Sequence, residues 1–142
     1  MTIRPTTPLM LDSNEYIFCL SGTKASCVQL IDQLDTLRVF VPLMVVREVE
    51  RNLDLMYGLS SVFFKLIVNQ ENIIIVWSPP PETLVLAYIE RGFSKEDATI
   101  AAAAEEIQAE YLVSENRHFL QHSAGLPFQV INAETALEIL QT

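Results

Sequence analysis

A three-layer α/β/α sandwich with a mostly parallel central sheet is the fold class this sequence predicts, and three observations predict it. Short apolar runs recur at Pro8-Leu9-Met10-Leu11, Val39-Phe40-Val41, Ile73-Ile74-Ile75-Val76-Trp77, Tyr111-Leu112-Val113 and Gln129-Val130-Ile131. Strands covered on both faces read as such runs, whereas strands with one wet face alternate. Helical patterns separate the runs, which is how parallel strands are connected. Finally, the chain has 142 residues, 50% of them apolar and 19% charged, with no Gly/Ser linker or low-complexity stretch. That composition suits one domain over residues 1–142 with a real core, and no internal repeat is visible.

The first run ends abruptly in Asp12-Ser13-Asn14-Glu15, which places Asp12 at the carboxyl end of a strand. An aspartate there either caps the next helix, with Glu15 as its reciprocal partner, or stands at a site. A helix is expected from about Tyr16, a break at Ser21-Gly22-Thr23, and a second helix through Leu37. The strand at Val39–Val41 should halt at Pro42. From Leu43 to Met56, Val45, Val46, Val49, Leu53 and Met56 share one helix face, while Arg47, Glu50, Arg51 and Asp54 turn away. Glu48 falls at the boundary beside Asn52, where it could reach a cleft or remain a solvated acid near an arginine. Leu59 to Asn69 reads as a helix carrying Phe63, Phe64 and Ile67; core packing or a subunit interface would each use these residues. The run from Ile73 to Trp77 reads as a buried strand ended by Pro79-Pro80-Pro81, followed by a helix from Glu82 to Arg91 that stops at Gly92. Gln129–Ile131 is the last strand, and Asn132 caps a terminal helix through Leu140.

Between Ser94 and Phe119 lie a capped helix, a strand and a polar elbow. Ser94-Lys95-Glu96-Asp97 resembles a capping box, with the acid in the first turn. Ile100, Ala104, Ile107 and Tyr111 make an apolar stripe with Asp97 at its edge, and the small residues Ala101–Ala104 allow close approach of a second element. Capping and a functional role for Asp97 are compatible. Asn116 stands just past Tyr111–Val113, next to Glu115.

The formal net charge of −9 argues against a broad electrostatic grip on nucleic acid. Of nine basic residues, however, Arg47, Arg51, Arg91, Lys95 and Arg117 lie near the singled-out acids in sequence, which leaves room for a local basic rim around an acidic pocket. The start, Met1-Thr2-Ile3-Arg4-Pro5, lacks the hydrophobic stretch of a signal peptide or membrane span, and a cytoplasmic location is expected. Cys19 and Cys27 do not form a Cys-x-x-Cys pair and are expected as buried free thiols. His118 and His122 have the spacing of a metal pair but no third ligand, so zinc is rejected. Ser13 and Ser114 lie in no nucleophile elbow, and serine hydrolysis is rejected with them.

Ligands of open α/β sheets gather beyond the carboxyl ends of the strands, where Asp12 and Asn116 stand. With acids on two helices, the residues suggest an all-oxygen ligand cluster suited to Mg²⁺ or Mn²⁺. Such ions support attack of water on a phosphodiester. Carboxylates gathered without metal would repel one another and cost stability.

At these residues the chain resembles the PIN domain family, which includes VapC-like toxins. The resemblance rests on Leu9-Met10-Leu11-Asp12, on Pro42 followed by Val45-Val46-Arg47-Glu48, on Asp97-Ala98-Thr99-Ile100-Ala101-Ala102, and on Leu112-Val113-Ser114-Glu115-Asn116-Arg117-His118-Phe119. Each motif alone is unspecific, whereas their order and spacing are telling. The resemblance implies a parallel sheet between helices, metal-dependent cleavage of RNA, homodimers and, in toxins, a small antitoxin partner. By position it makes Asp12, Glu48 and Asp97 catalytic metal-binding acids, with Asn116 as a fourth ligand where many members carry Asp. Glu115, pointing elsewhere from its place beside the strand end, is not a full replacement. Arg47, Arg51, Lys95 and Arg117 are the candidates for contact with RNA. Asn116 and the acidic charge leave a second expectation open, a PIN-like interaction module with weakened or lost nuclease activity.

Overall fold

Five parallel strands form the centre of the computed structural model, which describes residues 1–56, 58–68 and 70–140. In chain order the elements are β1 (Pro8–Leu11), α1 (Ser13–Leu20), α2 (Ala25–Asp32), a 3-10 turn (Leu34–Thr36), β2 (Arg38–Pro42), α3 (Leu43–Met56) and α4 (Ser60–Val68). There follow β3 (Ile73–Val76), α5 (Glu82–Glu90), α6 (Lys95–Glu106), β4 (Tyr111–Val113), α7 (Arg117–Gln121), β5 (Gln129–Ile131) and α8 (Ala133–Ile139). The sheet order is β3-β2-β1-β4-β5. The expected α/β architecture is the one found, and its sheet is parallel throughout.

Because crossovers between parallel strands are right-handed, opposite directions of travel place helices on opposite faces. The chain moves one way from β1 to β2 to β3 through α1–α4, then returns past β1 to β4 through α5 and α6. Helix contacts follow this division: α1 packs on α2 and α3, α3 on α4, and α2 on α8, while α5 packs on α6. The direction reverses between β1 and β4, paired in register from Leu9–Tyr111 to Leu11–Val113. A reversal of this kind leaves a crevice at the carboxyl ends of the two strands.

Burial explains why β1 is central. Leu9, Met10 and Leu11 are fully buried, as are Val39 and Val41 of β2 and Leu112 and Val113 of β4. Alanines 101–104 of α6 are buried too, which lets that helix lie close to its neighbours. Gly92, at φ +102, turns the chain out of α5 in a conformation that side chains resist, as its position after the helical pattern suggests.

Several local expectations need correction. Pro42 is the last residue of β2, not a residue outside it: it pairs with Val76 beyond the point where β1 pairing ends, so its missing N–H costs no ladder bond to β1. The run at Ile73 is an edge strand, with Ile73 buried, Ile74–Val76 half-buried and Trp77, beyond its end, 68% exposed. The helix expected to reach Leu37 ends at Asp32 and gives way to the 3-10 turn. Helix α6 ends at Glu106, and Tyr111 belongs to β4 instead of the helical stripe. Phe63 and Ile67 are core residues, Phe63 meeting Tyr16 edge-on at 5.1 Å, and only Phe64 of that trio faces outward. Cys27 is a buried free thiol, but Cys19 is only half-buried. The expected end of the fourth helix at Asn69 lies outside the described residues.

Candidate active site

The crevice between β1 and β4 holds a cleft of about 390 Å³ lined by Asp12, Glu48, Glu96, Asp97 and Asn116 with Lys95 at its rim. Asp12 arrives on the turn from β1 to α1, Glu48 on α3, Asp97 on the first turn of α6 and Asn116 on the elbow after β4. Ser13, Asn14, Met44, Thr99 and Ile100 complete the lining. Four acids thus face one cleft with a single lysine.

Asp12 is the N-cap of α1, and both its carboxylate oxygens are engaged. Its Oδ1 accepts from the Ser13 N–H at 2.8 Å, and its Oδ2 accepts from the Ser114 hydroxyl at 2.8 Å. Glu15 is not the reciprocal partner. Burial pushes the Asp12 carboxyl above its ordinary range; the bonds from Ser114 and the Ser13 N–H oppose this, while Glu48 and Asp97 add to it. A cation in the cleft would relieve both causes.

At the opposite wall, Ser94 caps α6 by accepting from the Asp97 N–H at 3.2 Å. The Asp97 carboxylate does not close the capping box; its Oδ1 accepts from Asn116 Nδ2 at 3.2 Å. The Asn116 carboxamide is therefore used at both ends. Its Oδ1 accepts from the His118 N–H at 2.9 Å as the cap of α7, and its N–H group faces Asp97. Glu48 is half-buried, and Asn52 binds its backbone carbonyl, leaving the carboxylate directed to the cleft lining.

The basic residues divide. Lys95 is at the cleft. Arg47 and Arg51 are on the outward face of α3 and line a neighbouring hollow with Glu50, Asp54 and Ser60. Arg47 also borders a hollow formed with Leu43, Met44, Trp77, Ser78 and Pro79, which shares Met44 with the acidic cleft. Arg117 is exposed at the start of α7.

Ser114 is the residue whose role the sequence left unread. Fully buried, it donates to Asp12 and accepts from the Asn116 N–H at 3.0 Å, joining the two strand ends by one hydroxyl. Its position two residues before Asn116 at a strand end was the available signal. Glu96 is a further cleft acid not singled out as a ligand. His118 lies edge-on to Phe93 at 5.4 Å and against His122 at 4.4 Å, which accounts for the pair by packing.

The all-oxygen lining fits a hard divalent cation in chemistry. No three of its carboxylates bring oxygens within 4.8 Å of one another; among the described residues, the trio that does is Glu15, Cys27 and Glu115. This second group is drawn from the first turn of α1, from α2 and from the elbow after β4. Glu15 Oε2 accepts from the Cys27 thiol at 3.0 Å, while Glu115 binds Lys24 and the Ala133 N–H. Burial pushes Glu15 up to about 9, and a hydrogen bond shared with Glu115 adds to this. Burial acts the same way on Glu115, but bonds from Glu15, Lys24 and Ala133 outweigh it and hold that carboxyl below its ordinary range.

No family model matches the sequence, and no curated protein is detectably similar to it. Solved structures are similar. A toxin-antitoxin complex from Klebsiella pneumoniae superposes with a TM-score of 0.65 at 21% identity, covering 88% of this chain and 97% of that one. PAE2754 from Pyrobaculum aerophilum gives 0.64 at 19% identity, covering 94% of each chain. VapBC2 from Rickettsia felis, bound to a DNA fragment from its promoter, gives 0.62 at 17% identity over 89% of this chain and 98% of that one. Likeness at these identities, sustained over whole chains, is likeness of fold, and this chain shares the α/β architecture of those three structures.

Proposed function

We propose that the chain is a Mg²⁺- or Mn²⁺-dependent endoribonuclease, the toxin of a toxin–antitoxin pair. The observation carrying this reading is the cleft at the β1–β4 reversal, where Asp12, Glu48 and Asp97 come from three separate elements to one acidic surface. When bound, the ion lowers the pKa of a water and neutralises phosphoryl charge. Asp12, oriented by Ser13 and Ser114, and Asp97, oriented by Asn116, would hold the ion with Glu48. Lys95 meets the phosphate at the rim, with Arg47 farther along the surface and Arg51 and Arg117 as outer contacts. Asn116 would serve as fourth ligand by turning its carboxamide oxygen from the α7 cap into the cleft.

The toxins' architecture supports a small antitoxin partner, and the exposed Leu55, Met56, Val62 and Phe64 supply apolar surface for a homodimer. No described helix is long and apolar enough to cross a membrane; a cytoplasmic setting belongs to the same proposal. Cleavage of single-stranded and structured RNA with Mn²⁺ against chelator tests the reading. Activity that vanishes with chelator and in Asp12→Asn is expected, and metal-independent cleavage would overturn it. Sedimentation at tens of micromolar tests the dimer, which a monomer of 16.0 kDa would exclude.

One observation favours a second reading, an interaction module with weakened nuclease activity. Asn116 directs a hydrogen-bond donor, not an oxygen, at Asp97. Intact wild-type protein that binds an antitoxin yet leaves RNA uncut with saturating Mn²⁺ would support it.

A further inference from the structure

Glu15, Cys27 and Glu115 meet inside the protein, and none of them lines the acidic cleft. One ligand atom from each lies within 4.8 Å of the others. They come from α1, α2 and the elbow after β4, so the group ties together three elements distant in sequence. Glu15 is fully buried, its Oε1 has no hydrogen-bond donor, and its Oε2 faces the Cys27 thiol. A carboxyl oxygen in such a place needs a proton or a cation, since leaving it bare is costly. Lys24 supplies positive charge to Glu115 from the outer side, where its side chain is 46% exposed.

We propose that Glu15, Cys27 and Glu115 form a second cation site, selective for a borderline ion of the Zn²⁺ class. The donor set carries the choice. One sulfur and two carboxylate oxygens suit Zn²⁺ or Co²⁺, whereas the oxygen-only cleft suits Mg²⁺ or Mn²⁺. Three protein ligands and one water complete a four-coordinate shell. Binding releases the thiol proton of Cys27 to solvent, since the thiolate is the ligand, and the ion meets the Glu15 oxygen that has no donor. A bound ion would pin the elbow carrying Asn116 to the helix that follows Asp12. This site does not depend on the nuclease reading.

The test titrates reduced, chelator-stripped protein with Co²⁺ while recording the thiolate-to-cobalt charge-transfer absorption. Saturation of that band at one equivalent is expected. It should persist in Asp12→Asn and Cys19→Ser, vanish in Cys27→Ser, and weaken by roughly 10–100-fold in affinity in Glu15→Gln and Glu115→Gln. Zn²⁺ should raise the melting temperature of Asp12→Asn as it does that of the wild type. No band in folded wild type would overturn the proposal and leave a proton-bridged carboxyl pair; so would a band that survives Cys27→Ser or vanishes in Asp12→Asn. Because absence in the wild type is decisive, the proposal stays testable even if Cys27→Ser fails to fold.

Discussion

Asp12 and Glu15 are three residues apart and both buried, yet the molecule treats them oppositely. Asp12 opens onto a cleft and is met by three donors, the Ser13 N–H and hydroxyl and the Ser114 hydroxyl. Glu15 is enclosed by a thiol and a second carboxylate, with one oxygen lacking a donor. Burial is the largest cause raising both pKa values, opposed at Asp12 by the Ser114 hydroxyl and the Ser13 N–H and at Glu15 by the Cys27 thiol alone. One buried carboxyl thus lines the cleft with a donor on each oxygen, while the other is enclosed with one oxygen unmet. Burial alone does not decide what a carboxyl group does; its hydrogen-bond partners do.

The largest expected difference separates the two acids in catalysis. Asp12→Asn should reduce Mn²⁺-dependent RNA cleavage by more than the roughly 10–100-fold typical of losing a supporting residue, while Glu15→Gln leaves it within a few-fold of wild type. Equal losses in both variants would show that the two groups work as one site. Next, Ser114→Ala should weaken Mn²⁺ binding by roughly 10–100-fold, because the hydroxyl that orients Asp12 is gone. Calorimetry reads this directly, and unchanged affinity would remove Ser114 from the site.

A smaller effect concerns pH. The folded Glu15 carboxyl, at about 9, lies above its ordinary value of 4.5. Its stabilising contribution is therefore complete below 4.5 and lost as pH rises toward 9, by at most about 1.4 kcal/mol per pH unit for one proton. Asp12, also raised, acts in the same direction. The melting temperature of metal-free protein should fall between these pH values, and Glu15→Gln should flatten the fall. A profile no flatter in that variant would show that Glu15 keeps no proton.

The smallest expected change is at Asn116. Asn116→Asp exchanges the donor facing Asp97 for a second anion. Metal-free protein should lose some thermal stability, and Mn²⁺ affinity should rise by less than about tenfold. Asp caps α7 about as well as Asn, so a gain in affinity would report on the ion and not on the helix. No gain, with Asp12→Asn losing binding, would strike Asn116 from the ligand set.

Strand positions, most helix boundaries and three of the four cleft acids, Asp12, Glu48 and Asp97, were legible because each leaves a local mark. Apolar runs reveal buried strands, Ser94 and Asn132 announce the helices they cap, and Asp12 sits where a strand stops. The edge position of β3 was hidden, because its run of isoleucines looks the same whether or not a second neighbour covers it. Neighbours on the chain could not show which carboxylates converge. Glu15 and Glu115 are separated by most of the sequence, and β1–β4 pairing brings their turns together.

By itself, the sequence determined the parallel α/β class and the placement of Asp12, Asp97 and Asn116 at element ends, since periodicity and capping are properties of short segments. Only the tertiary structure decided what each polar group faces. It set Ser114 against Asp12, aimed the amide of Asn116 at Asp97, and enclosed Glu15 with Cys27 and Glu115. These contacts depend on strand order and helix packing, and the hydrogen bonds and desolvation they impose determine which acid is charged.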